Sequence, residues 1–333
     1  LSLAACTKNQ TKWGFACGRV SSLEGQLIPQ ETFYLLAGLD RVQDVFNRLQ
    51  ETSLREHMTH GALTWEDWST VIDNYVHSQI LSLRQCTPNP AICDLYSLSE
   101  DYLNLKRAVQ NRGSFPFGKS QFSESRLLEV ASGNGSLLPE IIRPALSPVL
   151  GGGSQEENSQ FVLDVTLDGA FLRHYLFLAH QSEAPFIEEW ATLRVLGRAL
   201  VAMWRAFRAG QQLKVFPAHF LPLNSLDGLI TEISTIPDPK AWGASIPGRP
   251  GDLWQAAFEA EEDEQVSTFE TLLANHLTEL AQRVKLQTAG PERVAGYLWG
   301  LWIAAYNLKL VISGKLNNLD ENLLKKRIRN TYV

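Results

Sequence analysis

Apolar residues recur at three- and four-residue spacing along most of this 333-residue chain, and strict two-residue alternation is scarce. That periodicity confines the chain to amphipathic helices, because side chains three and four apart share one helix face whereas strands need a period of two. Asp40–Glu56 places Val42, Val45, Phe46 and Leu49 on one stripe. Trp68, Val71, Ile72, Tyr75, Val76 and Ile80 continue the rule in a second helix, with Thr64 as its N-cap and Asp67 three residues later. Further helical runs are expected at Asp101–Asn111, Phe161–Ala179, Pro185–Ala209, Phe258–Leu286 and Glu292–Leu316. Breaker-rich joints separate them at Gly113–Gly118, Ser132–Ser136, Gly151–Ser154 and Pro237–Gly251. The expected class is all-α, with connections too long for a simple up-and-down bundle.

Charge and composition exclude several function classes. A formal charge of -6, from 30 basic and 36 acidic side chains, does not supply the basic face on which counterion release from nucleic acid depends. The most apolar stretch, Val294–Ser313, approaches the length of a membrane span, but it carries Asn307 and Lys309, so it reads as a core helix. Four cysteines, with no C-x-x-C pair among them, point to structural thiols in a reducing compartment. Leu3-Ala4-Ala5-Cys6 has the order of a lipoprotein cleavage site, yet neither a basic region nor a long apolar stretch precedes it, and it is read as coincidence.

One motif points to chemistry by its letters alone. Gly113-Ser-Phe-Pro-Phe-Gly118-Lys119-Ser120 fits the phosphate-loop pattern G-x-x-x-x-G-K-[ST]. Such a loop must leave a strand and open a helix so that successive N–H groups face phosphate; here it follows a helix, and Pro116 lacks an N–H. Phe161-Val-Leu-Asp164 resembles the magnesium-holding partner strand but reads better as a helix start. His57 and His60 lie three apart without a spaced third ligand, so no metal site is expected. The acidic run Glu259–Glu264 reads as the solvated face of a helix, and the nine tryptophans as core packing. No G-x-S-x-G elbow is present. No catalytic residue and no cofactor are expected.

A weak internal repeat runs at about one hundred residues, where Asp101–Gly113 and Ala304–Gly314 share Asn-Leu-Lys on a helix ending in glycine. Val201–Gly210 has the same shape without the asparagine.

Taken with the two ends, these segments carry a resemblance. Trp13–Leu27, with Arg19, Val20, Leu23 and Glu24, looks like the opening helix of the C subunit of bacterial and archaeal V/A-type (vacuolar-type) rotary ATPases, whose eukaryotic V-ATPase equivalent is the d subunit. Phe46-Asn47-Arg48-Leu49 with Thr52 is similar to that family's leucine-x-x-threonine segment. Glu100-Asp101-Tyr-Leu-Asn104-Leu-Lys106 is similar to its D-x-x-N-[IL]-[KR] helix. Tyr297-Leu298, Asn307-Leu308-Lys309, Gly314-Lys-Leu-Asn317 and Glu321–Ile328 follow in the family's order. The chain departs from the pattern at Trp302 and Ala304, where members usually carry acids, and at Gly197 and Val201, where the middle lobe lacks the aspartate–asparagine pair.

The resemblance implies a non-catalytic, funnel-shaped, pseudo-threefold body of three similar helical lobes, with limits placed at 1–118, 119–213 and 214–333 and an opening helix able to pack with the last lobe. It implies a central-stalk adaptor on the cytoplasmic face of the membrane. Its partners would be the rotating shaft and the proteolipid ring, in support of proton or sodium transport; nucleic acid and a span of its own are not expected. Family-motif residues are Arg19, Glu24, Asp101, Asn104, Lys106, Asn307 and Lys309, of which the two asparagines are expected to tie helices together by amide hydrogen bonds. In this family the asparagine helix ends in a basic, glycine-containing turn, the place occupied here by Gly113, Gly118, Lys119 and Ser120. The alternatives are a nucleotide-binding protein using that loop, or a helical scaffold with other partners.

Overall fold

A computed structural model gives the conformation of residues 11–58, 65–111, 122–144, 146 and 159–333. The described residues form fifteen α-helices joined by turns and short 3-10 segments, with no strand among them. The all-α reading holds. The Gly113–Ser120 loop, His60 and Thr64 lie outside the described residues.

The residues divide into two compact units, one running from Ser97 to Phe269 and the other joining the stretch through Tyr96 with Glu270–Val333. The residues assigned to the expected third lobe are therefore shared, 214–269 falling in the first unit and 270–333 in the second.

The unit built from both ends contains α1 (Gly14–Glu24), α2 (Gln30–Gly38), α3 (Val42–Leu49), α4 (Trp65–Arg84) and the start of α5 (Ala91–Asn111). Its axis is a 26-residue helix, Pro291–Leu316, contacted by α1, α2, α3 and α4. This axial helix is apolar over most of its surface because 17 of its 26 residues are buried, which is why it reads nearly like a membrane span in sequence. No helix of the described residues is long and apolar enough to cross a membrane. Glycines let neighbours lie directly on it. A methyl at Gly300 would sit 2.5 Å from Cβ of Tyr332, and one at Gly314 would overlap Leu324.

The expected helix at Asp40–Glu56 stops at Leu49, although Val45, Phe46 and Leu49 are buried as the stripe demands. Thr52 causes the break. Its hydroxyl donates to the Leu49 carbonyl (2.6 Å) and accepts from Leu54 N–H (3.3 Å), which starts the 3-10 turn Ser53–His57 instead of another α-turn.

The unit from Ser97 to Phe269 holds the rest of α5, α6 (Glu124–Ala131), α7 (Ser159–Gln181), α8 (Pro185–Arg208), α9 (Val215–Phe220), α10 (Asp227–Ile233), α11 (Trp242–Ser245) and α12 (Arg249–Ala257). The remaining two helices are α13 (Gln265–Val284), most of which belongs to the other unit, and α15 (Glu321–Arg327), so the axial helix is α14. Phe161–Asp164 occupies the first turns of α7, as the sequence reading holds. The acidic run Glu259–Glu264 is solvated but not helical; it lies in the connection between α12 and α13, where three successive acids at 261–263 face solvent. Pro237–Gly251, expected as a joint, itself carries α11 and the start of α12.

Three of the nine tryptophans, Trp204, Trp242 and Trp254, converge in space. Trp254 sits 4.9 Å from Trp204, 5.4 Å from Trp242 and 4.8 Å from Phe269, and Trp204 stacks on Phe258 at 4.6 Å. Two of the indole N–H groups are satisfied beside the cluster, Trp254 donating to Pro239 O (2.8 Å) and Trp242 to Ile236 O (3.1 Å).

Candidate functional site

Buried polar side chains in the unit built from both ends converge on one segment, Ile328–Val333. Ile328, Arg329, Thr331 and Tyr332 are all buried although the segment has no helix or strand of its own, so side chains must satisfy its backbone. Asn307 on α14 does this in both directions: its Nδ2 donates to Arg329 O (2.8 Å), and its Oδ1 accepts from Arg329 N–H (3.0 Å). Asn330 N–H donates to Asn275 Oδ1 (2.8 Å), and Thr331 N–H to Gln30 Oε1 (2.7 Å). Gln282 Nε2 donates to Thr331 O (2.8 Å). Side-chain amides from three helices, α2, α13 and α14, thus hold three consecutive residues.

The side chains of the segment are held as firmly. Tyr332 lies against Gly300 and donates its hydroxyl to Glu24 Oε1 (2.8 Å). Glu24 also pairs with Arg293 Nη2 (3.0 Å), both side chains being largely buried. Burial, followed by the Glu24 charge, pushes the Tyr332 phenol well above its ordinary value. Cys17 exchanges hydrogen bonds with the backbone of Gly290, just before α14, and burial raises its thiol. The Arg329 guanidinium rests 3.5 Å from the Tyr306 ring centroid and 5.6 Å from that of Trp302, which stacks in turn on Trp299. At Trp302, then, an aromatic face meets a buried cation.

The other family-motif residues form separate ties. Arg19 donates to Ser82, linking α1 to α4. Lys309 bridges α14 to Asp73 of α4 at 2.6 Å. In the other unit, Tyr102, Lys106 and Gln110 lie four apart on one face of α5 and grip α7: Tyr102 OH donates to Ala170 O (3.1 Å), Lys106 pairs with Asp164 (2.8 Å), and Gln110 Nε2 donates to the same carboxylate (3.0 Å). Asp101 and Asn104 are buried in that helix. Every described motif residue whose partner is given above thus touches this chain's own backbone or side chains.

Three cysteines among the described residues are free thiols, and burial pushes that of Cys93 up to about 12. No group of three or more metal-ligating side chains occurs among the described residues.

A family model for the ATP synthase (C/AC39) subunit matches residues 16–327, from the first turn of α1 to the last residue of α15. The chain belongs to that family. No curated protein matches it. C/AC39 subunits are components of V/A-type ATP synthases, and the resemblance read from the sequence is thereby confirmed.

Within this C/AC39 subunit the motif reading found Glu24 and Asn307 but missed what they hold. Asn307 ties α14 to the Arg329 backbone rather than to another helix. Arg293, Tyr332, Gln30, Asn275 and Gln282 were not singled out; they join positions up to 308 residues apart, which no local period encodes. A signal was available in Gly296 and Gly300, four apart in an otherwise bulky helix, because such a pair opens a groove for a neighbouring chain segment.

Proposed function

We propose that the protein is the non-catalytic central-stalk subunit of a V/A-type ATPase, set between the rotating shaft and the membrane proteolipid ring on the cytoplasmic face. There it would transmit torque in support of proton or sodium transport. The observation that carries this reading is the family match over residues 16–327. The physical argument is consistent with it. A coupling element needs stiffness, and dense packing with polar groups tied internally transmits strain without reactive groups at the surface. The three-lobe division with limits at 118 and 213 belongs to this proposal, as does the funnel shape.

The isolated chain is accordingly expected to release no phosphate from ATP above a buffer control. An ATP titration of the wild type and of Lys119→Ala addresses the competing phosphate-loop reading directly. Equal, negligible binding by both supports the adaptor, whereas saturable binding lost on removal of the lysine would overturn it.

A further inference from the structure

Two apolar side chains project from the unit built from both ends. Leu286 is 91% exposed and Phe15 74%, the highest values for large apolar side chains among the described residues. They belong to the same end of that unit. Cys17 exchanges hydrogen bonds with Gly290, and Arg293 donates to Ser21 and Glu24, so α1 and α14 run in parallel and begin side by side. Phe15 lies in the first turn of α1, and Leu286 in the connection that leads from α13 to Gly290. Gly14 and Gly18 flank Phe15 along α1, and a methyl on either would meet nothing, which leaves the ring unshielded.

The charge beside these tips is positive, in a chain whose net charge is -6. Lys12 and Arg283 are exposed and have no partner among the described residues. Lys285 lies over the Tyr332 ring at 5.4 Å. No acid occurs at 11–23 or at 280–291. Of the carboxylates that border these stretches, Glu24 pairs with Arg293, Glu292 is buried, and Glu279, one turn before Arg283, lies 3.7 Å from His276. The Arg19–Ser82 bond brings the end of α4 to the same place, and there Arg84 and Asp94 cancel at 2.7 Å.

Those features select a class of partner. Anchors of protein–protein interfaces sit in packed pockets of matched shape, whereas side chains as exposed as these occupy no groove. A layer of lipid headgroups accepts isolated apolar tips without shape complementarity and, where the headgroups are acidic, attracts the cations beside them. We propose that this end of the unit rests on an anionic lipid surface, with Phe15 and Leu286 entering the headgroup layer and Lys12 and Arg283 facing the lipid anions. The contact extends the central-stalk reading, which puts a membrane within reach.

Flotation of the full chain with protein-free vesicles at low ionic strength tests this, comparing phosphatidylcholine alone with an equimolar mixture of phosphatidylcholine and phosphatidylserine. The wild type should float with the mixed vesicles, stay behind with phosphatidylcholine alone, and be released by salt. Phe15→Ser combined with Leu286→Ser should weaken partitioning about tenfold, and Lys12→Gln or Arg283→Gln about fivefold each. All four positions are exposed, so these changes leave the core untouched. Leu103→Ser, at an exposed apolar side chain of the other unit, should float like the wild type. The proposal is overturned if the wild type does not float, floats equally with both vesicle types, or floats only when a proteolipid ring is reconstituted into the vesicles, which would make the partner a protein. Undiminished flotation of the Phe15→Ser, Leu286→Ser chain, or an equal loss in Leu103→Ser, would overturn it as well. Because the vesicles hold no protein, failure here is distinct from failure of the central-stalk reading, which rests on recovery of shaft and ring components.

Discussion

The two units solve the same problem of rigidity with different chemistry. Around Ile328–Val333 the unit built from both ends relies on directed polar contacts from residues far apart in sequence. The unit from Ser97 to Phe269 relies on an aromatic cluster about Trp254 and on helix faces that repeat locally. Both bury an arginine against aromatic rings, Arg329 over Tyr306 and Arg194 over Tyr175 and Trp190, so a buried cation is common to the two designs. What differs is the failure expected on mutation. An aromatic cluster loses stability through an unfilled cavity, whereas a polar clamp loses it through groups left buried and unpaired.

The largest effect should come from Trp254→Ala, which empties the centre of the aromatic cluster. It should cost about 3–5 kcal/mol in denaturant unfolding. Asn307→Leu should come next, at about 2–4 kcal/mol, because the N–H and the C=O of Arg329 both lose their partner inside a buried site. If Asn307→Leu left the melting temperature unchanged, the clamp would be decorative and the comparison would fail.

These two residues also show how unevenly the fold could be read in advance. Helix faces were legible, since burying a stripe needs only local spacing, and Val45, Phe46 and Leu49 fell where that spacing put them. The stop at Thr52 was not, because a hydroxyl competing for backbone partners leaves no trace in apolar periodicity. Asn307 was recognised as a motif letter, yet its partner lies in an irregular segment whose burial no pattern announces. Trp254 reads in sequence only as one of nine scattered tryptophans, and the chain has to fold before it meets Trp204 and Trp242.

A smaller effect is read by pH. Burial raises the Tyr332 phenol, so above pH 10 the unfolded chain loses a proton that the folded chain keeps, and stability falls as pH rises. Tyr332→Phe should cost about 1.5–3 kcal/mol at neutral pH, through the lost bond to the Glu24 carboxylate, and should flatten part of the alkaline limb in a pH series of unfolding curves. An unaltered alkaline limb would place the titration elsewhere. The smallest change is expected for Lys309→Ala and Lys106→Ala. Each removes a half-exposed ion pair, worth under about 1 kcal/mol and weakened further by salt.

The central claim is that this C/AC39 subunit works as a passive mechanical link in a rotary ATPase. Purification of the affinity-tagged full chain from its native membranes, under conditions that keep the complex intact, tests it most directly. Shaft and proteolipid-ring components should be recovered in fixed proportion to the tagged chain. Recovery of the chain without either of them would contradict it.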